Sequence, residues 1–159
     1  MTSPSLLSSV DLRGSTVVIV GASRGIGRQY AADLARAGAN LVLTGRDEAV
    51  AAAADDIRAG GGIALPVQCD IRDPAPFVDA ALAEYGGIDS LVVNAGIVRD
   101  RSFAKMTAEE WSEVIEVHLG GSFACAKAAW PVMSSQGRGS IVLTTSGAGM
   151  HGAFGQANY

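Results

Sequence analysis

Short runs of β-branched and apolar residues alternate with longer helical patterns along most of this chain. Continuous apolar strands separated by helices are typical of a parallel sheet that is covered on both faces. The runs are TVVIV at 16–20, NLVLT at 40–44, IALPV at 63–67, SLVVN at 90–94 and GSIVLTTS at 139–146. Because crossover connections are right-handed, such a sheet is doubly wound. The alternation predicts an α/β fold of this kind.

The helical stretches between these runs carry start signals. Asp47 and Asp73 are predicted N-caps, and Pro74 takes the first helical position after Asp73. Thr107 and Glu110 have the spacing of a capping box and precede one long helical pattern, on which Trp111 and Trp130 are predicted to pack.

Composition limits the class of protein. A chain of 159 residues with 48% hydrophobic and 18% charged residues suits one globular domain with a sizeable core. The net charge of −4 favours no nucleic-acid partner, and the apolar runs are too short for a membrane span. The N-terminal segment lacks a basic region, the two cysteines lack a CxxC spacing, and no metal-ligand pattern is evident. We expect a cytoplasmic protein with reduced thiols and no membrane, nucleic-acid or metal partner.

The first strand run leads directly into GASRGIG, a turn with the spacing Gly-x3-Gly-x-Gly. Glycines permit a tight turn and close backbone approach, and a helix N-terminus presents free N–H groups to a pyrophosphate. Any strand-to-helix turn can carry glycines, but three at this spacing favour dinucleotide binding on a Rossmann-type sheet. The predicted cofactor-binding residues of the turn are Gly21, Ser23, Arg24, Gly25, Ile26 and Gly27.

The end of the second strand bears on the choice of dinucleotide. An acid there would bind the ribose 2′-hydroxyl of NAD. This chain has Gly45 at that place, followed by Arg46, and Arg24 lies in the glycine turn. Two guanidiniums suit a 2′-phosphate, so the pattern favours NADP(H) over NAD(H). Two alternatives stay open. Both arginines could be ordinary surface residues, and Asp47 is an acid close to the end of the second strand, which favours NAD(H).

Polar and small residues follow the third and fourth strands. Asp70, which precedes Ile71 in CDI, could accept a hydrogen bond from an adenine amino group or could serve only as a turn or cap residue. In NAG, Asn94 could fix the turn while Ala95 and Gly96 allow the chain to pass close to a ribose. These five residues complete the predicted cofactor site.

The ordered set GASRGIG, CDI, NAG, TTS and a final tyrosine resembles the short-chain dehydrogenase/reductase family over essentially the whole chain. The resemblance implies hydride transfer between a nicotinamide and a carbonyl or alcohol. It assigns Ser146 and Tyr159, thirteen positions apart, as the family's serine and tyrosine. Ser146 would hydrogen-bond the substrate oxygen, and Tyr159 would donate a proton to a carbonyl or remove one from an alcohol.

Two features depart from the family pattern. The family lysine lies four positions beyond the tyrosine, so we expect residues 1–159 to be a single Rossmann-type domain truncated at the catalytic tyrosine, with its C-terminal part missing. His118 occupies the place of the family asparagine, where it could relay protons or simply fill the helix interface. The alternative function is therefore a catalytically incomplete dinucleotide-binding fragment or sensor.

Four further segments narrow the resemblance. VRDRSF, VHLGGSF, AAW and GAFGQANY look like the (3R)-hydroxyacyl-CoA dehydrogenase units of multifunctional enzymes, and the overall pattern is also similar to 3-oxoacyl-carrier-protein reductases. Both branches imply a small-molecule carbonyl or alcohol substrate, such as a 3-oxoacyl or 3-hydroxyacyl thioester. The family also implies a homo-oligomer for the full-length parent, which leaves the assembly of this chain open.

Overall fold

The computed structural model describes residues 10–159. Five parallel strands form one sheet in the order β3-β2-β1-β4-β5. They are β1 Thr16–Val20, β2 Asn40–Gly45, β3 Ile63–Gln68, β4 Ser90–Val93 and β5 Ser140–Leu143. Val18 of β1 lies opposite Val42 on one side and Leu91 on the other. The predicted doubly wound parallel sheet is confirmed.

Helices cover both faces of this sheet. They are α1 Gly25–Arg36, α2 Ala49–Ala59, α3 Ala75–Tyr85, α4 Ala108–Ile115, α5 Gly121–Gln136 and α6 Gly147–His151. Successive side chains of β1 point to opposite faces. Val17 and Ile19 pack in the core under α1 and α2, whereas Val18 and Val20 pack in the core under α3 and α5. Burial on both faces explains why β1, β2 and β4 are apolar, whereas the edge strand β5 is largely exposed.

Two predicted N-caps are wrong. Among residues 10–159, no side chain caps α2 or α3, which begin at Ala49 and Ala75. The Asp47 carboxylate pairs with Arg24 instead. Pro74, whose backbone is already helical with φ of −80°, takes the cap position predicted for Asp73.

Two other elements differ in extent. β5 ends at Leu143, earlier than predicted, and Ser146 three residues later caps α6. The long helix after Thr107 contains a π-helical segment at Glu116–Gly120, which joins α4 to α5 without a break. Such π segments are frequent at functional sites, and this one contains His118.

The predicted capping box is confirmed. Glu110 N–H donates to Thr107 Oγ1 at 3.2 Å, and Thr107 N–H donates to Glu110 Oε2 at 3.0 Å. We expect Thr107→Ala to lower the free energy of unfolding by about 1 kcal/mol, because the Glu110 N–H loses its acceptor. Urea unfolding measures the change, with Thr107→Ser as the control that keeps the hydroxyl. An equal loss in both variants would rule out the cap as its cause.

Across residues 10–159, we find no helix with the length and apolar character needed to cross a bilayer.

Candidate functional site

Two clefts open at the carboxyl ends of β1 and β4, where the strand order reverses. Open α/β sheets bind ligands in the crevice at such a switch point. The glycine-turn cleft has a volume of about 410 Å³ and runs from Gly21 to Arg46 and Ile71. The tyrosine cleft has a volume of about 610 Å³ and runs from Gly25 to Ser146 and Tyr159. Both clefts share the segment 94–97.

The structure distributes the predicted site residues between these clefts. The glycine-turn cleft is lined by Gly21, Ser23, Arg24, Arg46 and Ile71, and the tyrosine cleft by Gly25, Ile26, His118, Ser146 and Tyr159. Asn94, Ala95 and Gly96 line both. Gly27 and Asp70 line neither, and Gly27 is buried below the turn. The sequence motifs therefore converge on one edge of the sheet.

Glycine is required in the turn for reasons of space and conformation. Gly21 has a φ of 87°, and a Cβ there would lie 2.6 Å from the Ala95 Cα. A Cβ on Gly27 would strike the Gly21 carbonyl oxygen, while Gly25 has a φ of 57° and open space beside it. No side chain of residues 10–159 caps α1 after this turn. The turn thus offers bare backbone and a free helix N-terminus, which fit a pyrophosphate.

Charged side chains line the end of the glycine-turn cleft next to β2. Arg24 Nη2 lies 2.5 Å from Asp47 Oδ2, and within the described part of the chain Asp47 Oδ1 is buried without a hydrogen-bond partner. The exposed Arg46 side chain makes no ion pair with any residue from 10 to 159. A Cβ on Gly45 would strike Ser23 Oγ. Space for an acidic side chain at position 45 is therefore lacking unless Ser23 moves.

Asp70 lies beside the cleft, and its carboxylate is bound to Arg72. It accepts hydrogen bonds from the Arg72 backbone N–H at 2.9 Å and from the Arg72 Nε and Nη2, both at 2.8 Å. These bonds lower the pKa of Asp70 to about 2. Sequence reasoning missed Arg72, although the Asp-x-Arg spacing was visible. The adenine contact predicted for Asp70 stays a prediction.

This ion pair makes a pH-dependent contribution to stability. The pKa of Asp70 falls from its ordinary 3.8 to about 2 on folding, so its contribution is present above pH 3.8 and lost as the pH falls toward 2. We expect Asp70→Asn to be less stable than the parent at neutral pH, with the difference shrinking over that acidic range. Urea unfolding against pH measures it, with the exposed Asp79→Asn as the control for losing one carboxylate. A difference that stays constant with pH would contradict the assignment.

Both cysteines are free thiols near the third strand. Cys69 lines the glycine-turn cleft, which sequence reasoning did not anticipate. Cys125 is buried in α5, where its Sγ donates to the Ile71 carbonyl at 3.4 Å. Burial raises the pKa of Cys125 to about 12. These features suit structural thiols.

In the range 10–159, no group of three or more His, Cys, Asp or Glu side chains could hold a metal ion.

Hydrogen bonds from three strands hold the shared segment in place. The N–H groups of Asn94 and Ala95 both donate to the Val20 carbonyl at 2.9 Å. The Thr144 hydroxyl, beyond β5, donates to Asn94 Oδ1 at 3.4 Å. Asn94 therefore ties β1, β4 and β5 together where the two clefts meet. The Thr144 contact was not predicted.

His118 reaches the same segment from the π-helical turn. Its Nε2 lies 3.1 Å from the Ile97 nitrogen and 2.8 Å from the Ile97 oxygen. One tautomer accepts from the Ile97 N–H and the other donates to the Ile97 C=O. A Cβ on Gly96 would strike the imidazole ring. The small residue at 96 thus makes room for His118.

The three predicted catalytic side chains meet in the tyrosine cleft. Ser146 Oγ accepts a hydrogen bond from the Ala148 N–H at 3.2 Å, which leaves the hydroxyl proton free to donate. The Tyr159 ring lies edge-on to the His118 ring, with 5.0 Å between centroids and an interplanar angle of 81°. A phenol, a hydroxyl and an imidazole thus line one cavity, where they can bind an oxygen atom and move a proton.

Comparisons with known proteins agree with this geometry. The family model of the short chain dehydrogenase matches residues 15–159. Peroxisomal multifunctional enzyme type 2 of Drosophila melanogaster is 39% identical over 156 residues, which are 92% of this chain and 26% of that enzyme. The 3-oxoacyl-[acyl-carrier-protein] reductase FabG of Staphylococcus aureus is 36% identical over 149 residues, which are 91% of this chain and 61% of the reductase.

Solved structures show the same likeness. A short chain dehydrogenase from Mycobacterium avium superimposes with a TM-score of 0.87 at 38% identity, over 93% of this chain and 60% of that one. The chain therefore spans only part of the length of these relatives. Since the family model covers nearly the whole chain, the resemblance seen in the motifs is confirmed. The chain belongs to the short-chain dehydrogenase family.

Proposed function

We propose that this chain belongs to an oxidoreductase that transfers a hydride between NADP(H) and a carbonyl or secondary alcohol. The observation that carries the proposal is the meeting of Ser146, His118 and Tyr159 in a cleft continuous with the glycine turn through the segment 94–97. Dinucleotide and substrate can then bind side by side. The nicotinamide supplies or accepts the hydride when it is bound.

The residues of the two clefts bind the cofactor, orient the substrate and transfer the proton. The glycine turn and the start of α1 bind the pyrophosphate, and the segment 94–96 passes beside the ribose. The Ser146 hydroxyl donates a hydrogen bond to the substrate oxygen, without giving up its proton, and so orients the substrate for hydride transfer. The Tyr159 hydroxyl gives that oxygen its proton in reduction and removes it in oxidation.

His118 supports this proton transfer in our proposal. Its ring contacts that of Tyr159, and its Nε2 contacts the Ile97 backbone. Because the imidazole can either donate or accept there, it can exchange a proton between the site and water. The alternative is a histidine that only packs between the helix and the segment 94–97.

Preference for NADP(H) over NAD(H) is the second part of the proposal. It is supported by Arg24 and Arg46 at the cleft wall and by the contact between Gly45 and Ser23, which opposes an acid at position 45. A 2′-phosphate would take the Arg24 guanidinium from Asp47 or share it, since an arginine has five donors. Asp47, whose Oδ1 lacks a partner among residues 10–159, is the residue that would favour NAD(H).

A 3-oxoacyl or 3-hydroxyacyl thioester is the substrate we favour. A reductase named for 3-oxoacyl-[acyl-carrier-protein] is among the relatives. Val98 lines the tyrosine cleft, and Met150 and Phe154 present exposed apolar side chains in the segment between Ser146 and Tyr159. Apolar side chains in the cleft and in the segment that ends at Tyr159 suit an acyl chain.

A homo-oligomer is also part of the proposal. Leu119, Phe123 and Trp130 on the helix that continues from His118 are each about two-thirds exposed, although Trp130 was predicted to pack. Large exposed apolar side chains on one helix suit contact with a second copy.

A cytoplasmic location, expected from the sequence, is also part of the proposal. Some relatives are named as peroxisomal proteins, but those names describe the relatives and not this chain.

The second candidate is a dinucleotide-binding protein without turnover, which would use the glycine-turn cleft and not the tyrosine cleft.

Binding and turnover measured together separate the two candidates. NADPH fluorescence is titrated with the protein, and oxidation of NADPH is then followed with an acetoacetyl thioester. Saturable binding with turnover supports the oxidoreductase. Tight binding without turnover favours the second candidate, and no binding contradicts both.

A further inference from the structure

The segment before Tyr159 is fastened to the loop after the shared segment 94–97. The Arg101 N–H donates to the Gly155 carbonyl at 2.7 Å, and the Gln156 amide donates to both Asp100 carboxylate oxygens at 3.1 and 3.2 Å. Asn158 Nδ2 donates to the Arg99 carbonyl at 3.3 Å. We call these contacts between residues 99–101 and 155–158 the clasp.

Asn158 is the buried member of the clasp, with only 3% of its surface exposed. Besides Arg99, its Nδ2 donates to the Glu110 carbonyl at 3.0 Å. Since both neighbours are carbonyl oxygens, which only accept, the NH₂ end of the Asn158 amide faces them and its oxygen cannot take that place. A buried side chain that bonds two separate backbone segments fixes their spacing.

Glu110 gives the clasp a rigid anchor. It lies in the first turn of α4, where the capping box with Thr107 holds it, and its carboxylate pairs with Arg101 at 2.7 Å. The same helix continues through the π-helical segment that contains His118. The attachment point of Asn158 and the ring of His118 therefore belong to one continuous helix.

Tyr159 is held between these two points. Its N–H donates to the Gln156 carbonyl at 3.1 Å, so its backbone is part of the turn that Asn158 anchors. Its ring lies edge-on to His118. The backbone of Tyr159, through Asn158, and its ring, through His118, are therefore both positioned by the same helix.

We propose that Asn158 is a positioning residue, whose amide fixes the backbone of Tyr159 on α4 so that the phenol meets His118 and enters the tyrosine cleft. This inference rests on the proposed function in taking Tyr159 as the proton donor. Asn158 itself does not line the tyrosine cleft, so its effect passes through Tyr159.

The test is the contact between the two rings in the isotope-labelled chain, observed as nuclear Overhauser cross-peaks between Tyr159 and His118. Asn158→Asp places a carboxylate against two carbonyl oxygens, and Asn158→Ala removes the amide without adding charge. Both are expected to lose the cross-peaks while the sheet signals and NADPH affinity stay unchanged. The alanine variant decides the question if the aspartate variant does not fold.

Two matched controls accompany these variants. Asn40→Asp makes the same substitution at the start of β2, at the opposite end of the sheet, and Phe154→Ala truncates a strongly exposed side chain in the same segment as Asn158. Both should keep the cross-peaks. Cross-peaks retained in folded Asn158→Ala would overturn the proposal, and so would global unfolding of that variant, which would show a general structural role. Failure of the parent chain to bind NADPH would instead contradict the proposed function and leave the cross-peak result intact.

Discussion

Replacing Tyr159 by phenylalanine is expected to lower turnover roughly 10²- to 10⁴-fold, because the substrate oxygen loses its proton donor. The affinity for NADPH should stay unchanged, since the phenol lies in the tyrosine cleft and not in the glycine-turn cleft. The ring remains, so packing against His118 is kept. Steady-state oxidation of NADPH with an acetoacetyl thioester measures turnover, and fluorescence titration measures affinity.

Tyr85→Phe is the matched control for this change. Tyr85 ends α3 and lines neither cleft, so removal of its hydroxyl should leave turnover unchanged. Full turnover in Tyr159→Phe would show that the proton comes from another group. Equal losses in both variants would indicate a general effect on the fold.

Loss of the two cleft arginines is expected to change cofactor choice. Arg24→Ala and Arg46→Ala should each weaken NADPH binding by roughly tenfold, because a charge-assisted hydrogen bond contributes about 1.5 kcal/mol at the lower end of its range. We use that lower end because both guanidiniums are exposed to water. NADH affinity should stay unchanged, since NADH lacks the 2′-phosphate. Parallel titrations with the two dinucleotides give both values.

Arg36→Ala serves as the control for these variants. Arg36 ends α1, at the far end from the glycine turn, and pairs with Asp33. Its loss should change neither affinity. If Arg24→Ala and Arg46→Ala weakened NADH as much as NADPH, the arginines would be binding the pyrophosphate or stabilising the cleft, and the proposed preference would lose its basis.

Patterns along the chain were enough to predict the sheet and the clustering of its motifs. The buried strands are apolar on both faces, and the carboxyl ends of parallel strands share one edge, so motifs that follow the strands must meet. The glycine turn, the segment 94–96, Ser146 and Tyr159 therefore lie together as expected.

Sequence patterns could not predict which side chains far apart in the chain would pair. Asp47 looked like a helix cap because aspartate is common at that place, yet Arg24 of another turn binds its carboxylate. The buried amide of Asn158 finds carbonyl partners 48 and 59 positions away. The π-helical turn at His118 likewise has no local signal. Each depends on tertiary contacts that form only when the sheet is assembled.

Transfer of a labelled hydride shows whether this protein is an oxidoreductase that uses NADPH. NADPH carrying deuterium at C4 of the nicotinamide, in separate preparations labelled on either face, is incubated with the protein and an acetoacetyl thioester, and the product is examined by mass spectrometry. We expect deuterium at C3 of a 3-hydroxyacyl product from one of the two preparations. Bound NADPH with no deuterium in the product from either preparation would contradict hydride transfer by this protein.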